Sequence, residues 1–356
     1  MAKKFRWQKF RDTDLSDTFF DSLKNDYEEF SDWFRRKSES GDNALVLNDE
    51  DGISAFIYLK REEDEPIELT DKILPAAPRL KIGTLRLAER FRGRRFGEGA
   101  LGVSLWYWRE TKLQDVYVTV FEKHSELINL FERFGFTCVG KNKRGECVYL
   151  KSRLNIDYSN PYKAFPFINS NFAKAGLLPI NEEFHDRLFP YSELKGVKNE
   201  IEAETAGNGI TKVYIGTPGS SMQYEVGEPV VIYRIHTGQG QKTFLSAITS
   251  YCTITKVEIV KQNGQKNMEL QEFIEQAGNK TVFSTPELIE IYRKENVVML
   301  ELVYNGYFGK GHNTNHKRLK EMGMFNTYPY QIEYTQEQFI TILKECAIDV
   351  QNVIIN

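Results

Sequence analysis

The 356-residue sequence is poor in cysteine: it has four, and no two of them form a C-x-x-C pair. That excludes the usual zinc and thioredoxin-type motifs. Cys138, Cys147, Cys252 and Cys346 read as reduced thiols of a reducing compartment. Long apolar runs are missing as well, and no stretch approaches the length of a membrane span. Met-Ala-Lys-Lys-Phe-Arg-Trp7 carries charge with no apolar segment behind it, so neither a signal peptide nor a membrane partner is expected, and a cytoplasmic location is. An excess of one charge is lacking too. The 47 Lys+Arg against 50 Asp+Glu leave a net charge of −3, and neither half is basic. This excludes a protein that grips nucleic acid by bulk charge and confines any such contact to a local patch. Repeats and low-complexity tracts are absent, and the length favours two domains.

What is present centres on Leu85-Arg-Leu-Ala-Glu-Arg-Phe-Arg-Gly-Arg-Arg-Phe-Gly-Glu-Gly-Ala-Leu101. An alternating apolar strand from about Leu80 to Ala88 leads into a loop with Arg90, Arg92, Arg94 and Arg95, and an amphipathic helix opens at Gly97-Glu98-Gly99. Strand, glycine-bearing turn and helix in that order make an anion site, because the first N–H groups of a helix lack intrahelical partners and the dipole there favours negative charge. Glycines allow close backbone approach, and arginine charge does not titrate away. No Gly-Lys-Ser/Thr follows, which excludes a Walker loop, and the spacing is not that of a dinucleotide fingerprint.

Around this stretch, Phe19, Leu23, Tyr27, Phe30 and Phe34 recur at helical spacing and predict one helix over 12–37 with an aromatic core face. Ala44–Leu47 and Ile53–Leu59 read as a hairpin, Arg61–Glu68 as a solvated acidic loop, and Asp115–Phe121 as a strand. His124–Phe134 reads as a helix stopped at Gly135, and Phe136–Val139 with Cys147–Leu150 as a closing hairpin.

Arg94-x-x-Gly97-x-Gly99 resembles the coenzyme A pyrophosphate loop of the GNAT acyltransferase superfamily, Gln/Arg-x-x-Gly-x-Gly/Ala. Leu130-Phe-Glu-Arg-Phe-Gly-Phe136 is similar to its Leu-Tyr-Glu-Lys-Leu-Gly-Phe signature, and the order of elements over residues 1–155 is the superfamily's. The resemblance implies an α/β domain, a GNAT-like mixed sheet with flanking helices, that transfers acetyl from acetyl-CoA to an amine, with no metal expected. It implies pantetheine contacts from the backbone of Leu87 and Glu89. Pyrophosphate contacts would come from the N–H groups of Arg92 to Gly99, through Phe96, Gly97 and Glu98, with Arg94 or Arg95 adding charge. At Phe131 the sequence departs from the pattern, which often has tyrosine there as general acid. His124 stands where the superfamily usually has asparagine. Glu89 reads either as general base or as a loop carboxylate pairing the arginines. His124 reads either as a second catalytic candidate, titrating near neutrality, or as an exposed helix-start histidine.

Residues 156–205 read as a connector, its prolines enforcing extended backbone. From about residue 206 short strands with inserted helices predict a small α+β domain built on a β-barrel. Gly227-Glu-Pro-Val-Val-Ile-Tyr-Arg234, the β region Ala247–Val260 and Tyr328-Pro-Tyr-Gln331 resemble the PUA/ASCH/EVE-type barrel group. The Gly-x-Lys-x-x-Glu motif of ASCH domains is not met, since Gly196-Val-Lys198 places Ile201 at the glutamate position. This resemblance implies recognition of RNA or a nucleotide by aromatic stacking, with Tyr233, Arg234 and Tyr328 as candidates and Tyr251 and Tyr330 in the same aromatic set; the alternative for each tyrosine is a core role. The basic loop Lys310–Arg318, with His312 and His316 at i,i+4, reads as a solvated loop rather than a metal pair, since no third ligand is evident. Three functions stand: an N-acetyltransferase with a nucleotide-recruiting module, a small-molecule or protein-amine acetyltransferase with the barrel as scaffold, and a non-catalytic CoA-binding regulator.

Overall fold

A computed structural model describes residues 4–196, 205–219 and 222–355, which divide at Ile156/Asp157 into two compact units. The first unit runs β1 (Arg6–Lys9), α1 (Asp21–Asp26), α2 (Phe30–Glu39), β2 (Asn43–Asp49), β3 (Gly52–Glu68), β4 (Ile73–Leu87), α3 (Phe96–Thr111), β5 (Asp115–Val120), α4 (Ser125–Arg133), β6 (Thr137–Lys141) and β7 (Cys147–Ser152). Its seven strands form one mixed sheet in the order β1-β2-β3-β4-β5-β7-β6. Only β4 and β5 are parallel, as the intervening helix α3 requires.

The expected helix over 12–37 is broken. Asp14 and Asp17 accept hydrogen bonds from the amides of Ser16 and Phe19, so their carboxylates hold turns where a helix would begin. Tyr27, extended at φ −135°, separates α1 from α2. The aromatic face is core nonetheless: Phe19, Phe20, Phe30 and Phe34 are buried with Phe10 and Phe56, whose rings cross nearly edge-on at 5.3 Å. The acidic stretch 61–68 is no loop but the far half of β3, paired with β4 out to Glu68↔Ile73. Glu62 is buried there because the Tyr117 hydroxyl donates to it at 2.7 Å and Lys60 lies 3.0 Å away.

The second unit runs α5 (Pro161–Ala164), β8 (Ile168–Asn169), β9 (Ala175–Asn181), α6 (Glu182–Leu188), α7 (Thr205–Asn208), β10 (Thr211–Gly216), β11 (Pro229–Ile235), α8 (Lys242–Leu245), β12 (Ala247–Gln262), β13 (Gln265–Lys266), α9 (Leu270–Ala277), α10 (Thr285–Tyr292), β14 (Val297–Tyr307), α11 (His316–Glu321), β15 (Glu333–Tyr334), α12 (Gln336–Glu345) and β16 (Ile354–Ile355). Its main sheet has the order β10-β14-β12-β11-β9-β15 and is open: among the described residues β10 pairs with β14 alone, so the expected closed barrel does not form. Phe244 lies in α8, and the expected β region Ala247–Val260 is a single strand, β12. Within the stretch expected to be a connector, the apolar run Ala175–Asn181 is β9, hydrogen-bonded parallel to β11 inside this sheet. Val197, Lys198 and Ile201 of the sought ASCH motif lie outside the described residues.

Candidate functional site

Two strands part company in the first unit. The β4–β5 ladder covers only Arg79–Ile82 against Asp115–Val118. Beyond it β4 stays with β3, while β5 stays with β7 as far as Val120↔Cys147. The divergence begins at Gly83, where the β3 register jumps from Tyr58↔Thr84 to Leu59↔Ile82. Gly83 is therefore the extra residue of a β-bulge, a device that re-aims a strand. A Cβ there would sit 3.1 Å from the Tyr58 ring. The result is a wedge between β4 and β5. Its β4 side carries backbone groups that can be assigned: the Ala88 N–H donates to the Ser54 carbonyl on β3, so strand alternation turns those of Leu85 and Leu87 into the wedge.

Helix α3 begins beside this opening. A Cβ on Gly97 would lie 3.5 Å from Leu87 Cδ1 and 3.8 Å from Leu130 Cδ2. The strand end, the glycine turn and the helix of the Leu130–Phe136 motif thus meet at one point. Not every amide from Arg92 to Gly99 is available there. Arg92 N–H donates to Glu89, Arg94 N–H to Phe91 and Gly99 N–H to Arg95. Phe96 and Gly97, in the first turn, have amides with no intrahelical acceptor.

The four arginines do different work. Arg90 binds Asp49 at 2.7 and 3.2 Å; burial opposes the Asp49 charge, but the bonds from Arg90 and Ser54 outweigh it and hold the carboxyl at about 2. Arg95, at a left-handed φ of +61°, turns back onto Glu98 at 3.0 Å, and both side chains are buried. Arg92 and Arg94 point outward, Arg94 over the Phe91 ring at 5.9 Å. Fixed charge at this helix start therefore comes from Arg92 and Arg94, and Arg95 is committed to its own helix.

Glu89 opens a 3-10 turn after β4 with its side chain 83 % exposed, 3.7 Å from Arg92. His124 is the exposed N-cap of α4, and its ring makes no capping bond. Phe131 is fully buried against Phe136 (5.4 Å) and Tyr149 (6.3 Å). The Tyr149 phenol, pushed up to about 12 by burial and its bond to Glu132, is the hydroxyl-bearing ring packed against that position.

Sequence reading missed the side chains at the end of β5. Tyr27 stacks on Phe121 at 6.4 Å, and its hydroxyl donates to Glu146 at 3.0 Å. Burial and that carboxylate raise its phenol above the ordinary range. Arg144 pairs with Glu29 beside it. These contacts join the α1–α2 connection to the β6–β7 hairpin across 119 residues, and no local spacing signals them.

The second unit does not assemble the expected stacking set. Tyr233 and Tyr251 are buried core residues, and the Tyr233 hydroxyl lies 2.9 Å from His316. Arg234 is buried and held by Asp186 at 2.8 Å in two bonds and by Glu182 at 3.0 Å. Tyr328 alone of the three candidates is exposed, beside Tyr330. His316 begins α11 and packs on Phe325 at 4.4 Å. No group of three or more His, Cys, Asp or Glu side chains able to hold a metal occurs among the described residues, and no helix among them is long and apolar enough to cross a membrane.

Residues 7–136 match the Acetyltransferase (GNAT) family. Similar solved structures include Arabidopsis thaliana NAA60 in complex with a bisubstrate analogue, 17 % identical over 41 % of this chain and 95 % of that one, TM-score 0.31. NAA60 in complex with acetyl-CoA is 16 % identical over 43 % and 100 %, TM-score 0.32. Ard1 from Thermoplasma volcanium is 17 % identical over 44 % and 100 %, TM-score 0.31. A search of curated proteins gives no match. The N-terminal unit thus carries an acetyltransferase domain of the GNAT family, at residues 7–136.

Proposed function

We propose that the N-terminal unit transfers an acetyl group from acetyl-CoA to an amine. The observation that carries this is the wedge between β4 and β5 meeting the start of α3, in a domain that matches the family. The residues present fit the donor. Outward-turned backbone groups of Leu85 and Leu87 suit an amide-bearing arm, which a strand edge holds as it would another strand. The Phe96 and Gly97 amides, with Arg92 and Arg94, suit a diphosphate.

The chemistry asks two things of the protein. A base takes the proton that the attacking amine loses, and an acid can protonate the departing thiolate. Glu89 and His124 are the candidates for the base. Phe131 offers no proton, so the thiolate leaves without an acid from that position; at an ordinary thiol pKa near 8.5 it is a tolerable leaving group. A second reading, a CoA-binding regulator without turnover, is favoured by that same Phe131. Recruitment of RNA by the second unit finds no support in Tyr233 or Arg234, both of which are buried.

Gly97→Glu is the test. It sets a carboxylate and its bulk between Leu87 and the helix start. Loss of one charge-assisted contact is worth roughly 1.5–3 kcal/mol, so calorimetry should show CoA affinity falling at least about tenfold. Unchanged affinity in a folded variant would remove the proposed donor site. Mass spectrometry of amine pools incubated with labelled acetyl-CoA then separates the two readings: acetylated product supports transfer, and binding without product supports the regulator.

A further inference from the structure

The two ends of the open sheet in the second unit face a common cavity of about 290 Å³. One wall is β9, at Pro179 to Asn181, and the other is β10, at Val213 to Gly216. Neither edge is paired there with another strand: β15 covers β9 only at Ala175 and Gly176, and β10 pairs with β14 alone among the described residues. The parity of each edge can be read. The Tyr224 hydroxyl donates to the Leu177 carbonyl, so the Pro179 carbonyl also points away from β11. Tyr304 N–H donates to the Ile210 carbonyl, so the backbone groups of Val213 and Ile215 point away from β14.

Apart from Thr217 and Thr281 the rest of the lining is aromatic and aliphatic, and among the described residues no charged side chain lines it. Phe184 and Phe283 lie 4.9 Å apart, tilted by 50°, and Tyr214 and Tyr330 join hydroxyls at 2.7 Å. One polar group stands out. Thr281 lines the cavity at 7 % exposure, and its hydroxyl has no hydrogen-bond partner among the described residues. A buried hydroxyl left unbonded costs stability, so its presence among Val282, Phe283 and Ile291 asks for something in the cavity to bond with.

We propose that this cavity binds an uncharged, planar heteroaromatic ring, its faces against the aromatic walls and its polar edge on Thr281 and the strand-edge backbone. The neutral lining selects against charge, since an unpaired ion would be desolvated there without compensation. The aromatic walls select for a flat π-face. The orphaned hydroxyl and the strand edges select for ring atoms that donate or accept. This site is separate from the acetyl-transfer reading and uses none of its residues.

The test uses the full chain at pH 8 and three probes: benzimidazole, which is uncharged and has polar ring atoms; indene, which has nearly the same shape and none; and benzamidine, which is planar and cationic. Isoleucine-methyl NMR reads the site through Ile180, Ile215 and Ile291, which line it. Benzimidazole should shift these methyls and bind more tightly than indene, while benzamidine should leave them unmoved. Thr281→Val removes one neutral hydrogen bond, worth about fivefold. It should weaken benzimidazole by that factor, leave indene unchanged, and melt at or above the wild-type temperature because the orphaned hydroxyl is gone. Phe283→Leu keeps an apolar side chain but removes a ring face, and should weaken benzimidazole and indene alike. Benzamidine binding as well as benzimidazole, or benzimidazole binding that Thr281→Val does not alter, or no shift at these methyls at millimolar probe, each overturns the proposal.

Discussion

At the scale of single residues, the candidate base is the sharpest question. The Glu89 side chain is 83 % exposed, 3.7 Å from Arg92. His124 sits equally open at the start of α4. A positioned acid or base contributes roughly 10²–10⁴-fold. With Glu89 as base, Glu89→Gln lowers the single-turnover rate by that order and leaves CoA affinity intact, and His124→Ala does neither. The reverse pattern moves the base to His124. Phe131→Tyr should leave the rate at or above wild type, and a fall would show that the buried ring, packed on Phe136 and Tyr149, has no room for a hydroxyl. Lys151 is a second informative residue. It is buried on β7 with its ammonium group 2.6 Å from the Phe134 carbonyl, and burial pushes its pKa down to about 7. In the unfolded chain it titrates at about 10.4. Between those values the unfolded chain binds more protons, so stability rises with pH through this window and is lowest below it. Urea midpoints should therefore climb more from pH 7 to pH 10 in wild type than in Lys151→Met. Parallel pH curves for the two would refute the assignment.

Among the elements, what the sequence made legible is what local spacing determines. The stretch from β4 through the arginine loop into α3 is readable because strand alternation, glycine placement and helical periodicity all fall within a few residues of each other. The Leu130–Phe136 motif is readable for the same reason, with Gly135 at φ +83° ending its helix. Elements set by distant partners were not. The far half of β3 looks like a solvated loop until Tyr117, 55 residues away, is seen to bond Glu62. The break between α1 and α2 at Tyr27 depends on Phe121 and Glu146. The division of labour among the arginines depends on Asp49 and Glu98: Asp49 lies 41 residues from the arginine it holds, whereas Glu98 is three residues from Arg95 and could have been found from the i,i+3 spacing. In the second unit the strands were largely visible, but their order was not. Whether they closed into a barrel turned on the pairing of β9 and β10, which no periodicity encodes.

At the scale of the whole molecule, each unit has the parts of a separate fold. Both large sheets lie within their own unit, and among the described residues no strand of one joins a ladder of the other. Among the described residues, the aromatic core about Phe10, Phe20 and Phe56 is built from the first unit, and the cores about Tyr251 and Phe273 from the second. The second unit also joins its own early and late segments, through the parallel β8–β16 pair and the Tyr158 hydroxyl on the Ile355 carbonyl. A core that uses residues of one unit alone supplies its burial energy without the other. We propose on these grounds that the units fold independently and that donor binding belongs wholly to the first. Residues 3–156 expressed alone should unfold cooperatively and bind CoA within about threefold of the full chain, the tolerance for sites that share no partners. A fragment that is unfolded while the full chain is stable would place part of the first core beyond Ile156. A folded fragment with CoA affinity reduced far more than threefold would mean that the second unit completes the donor site.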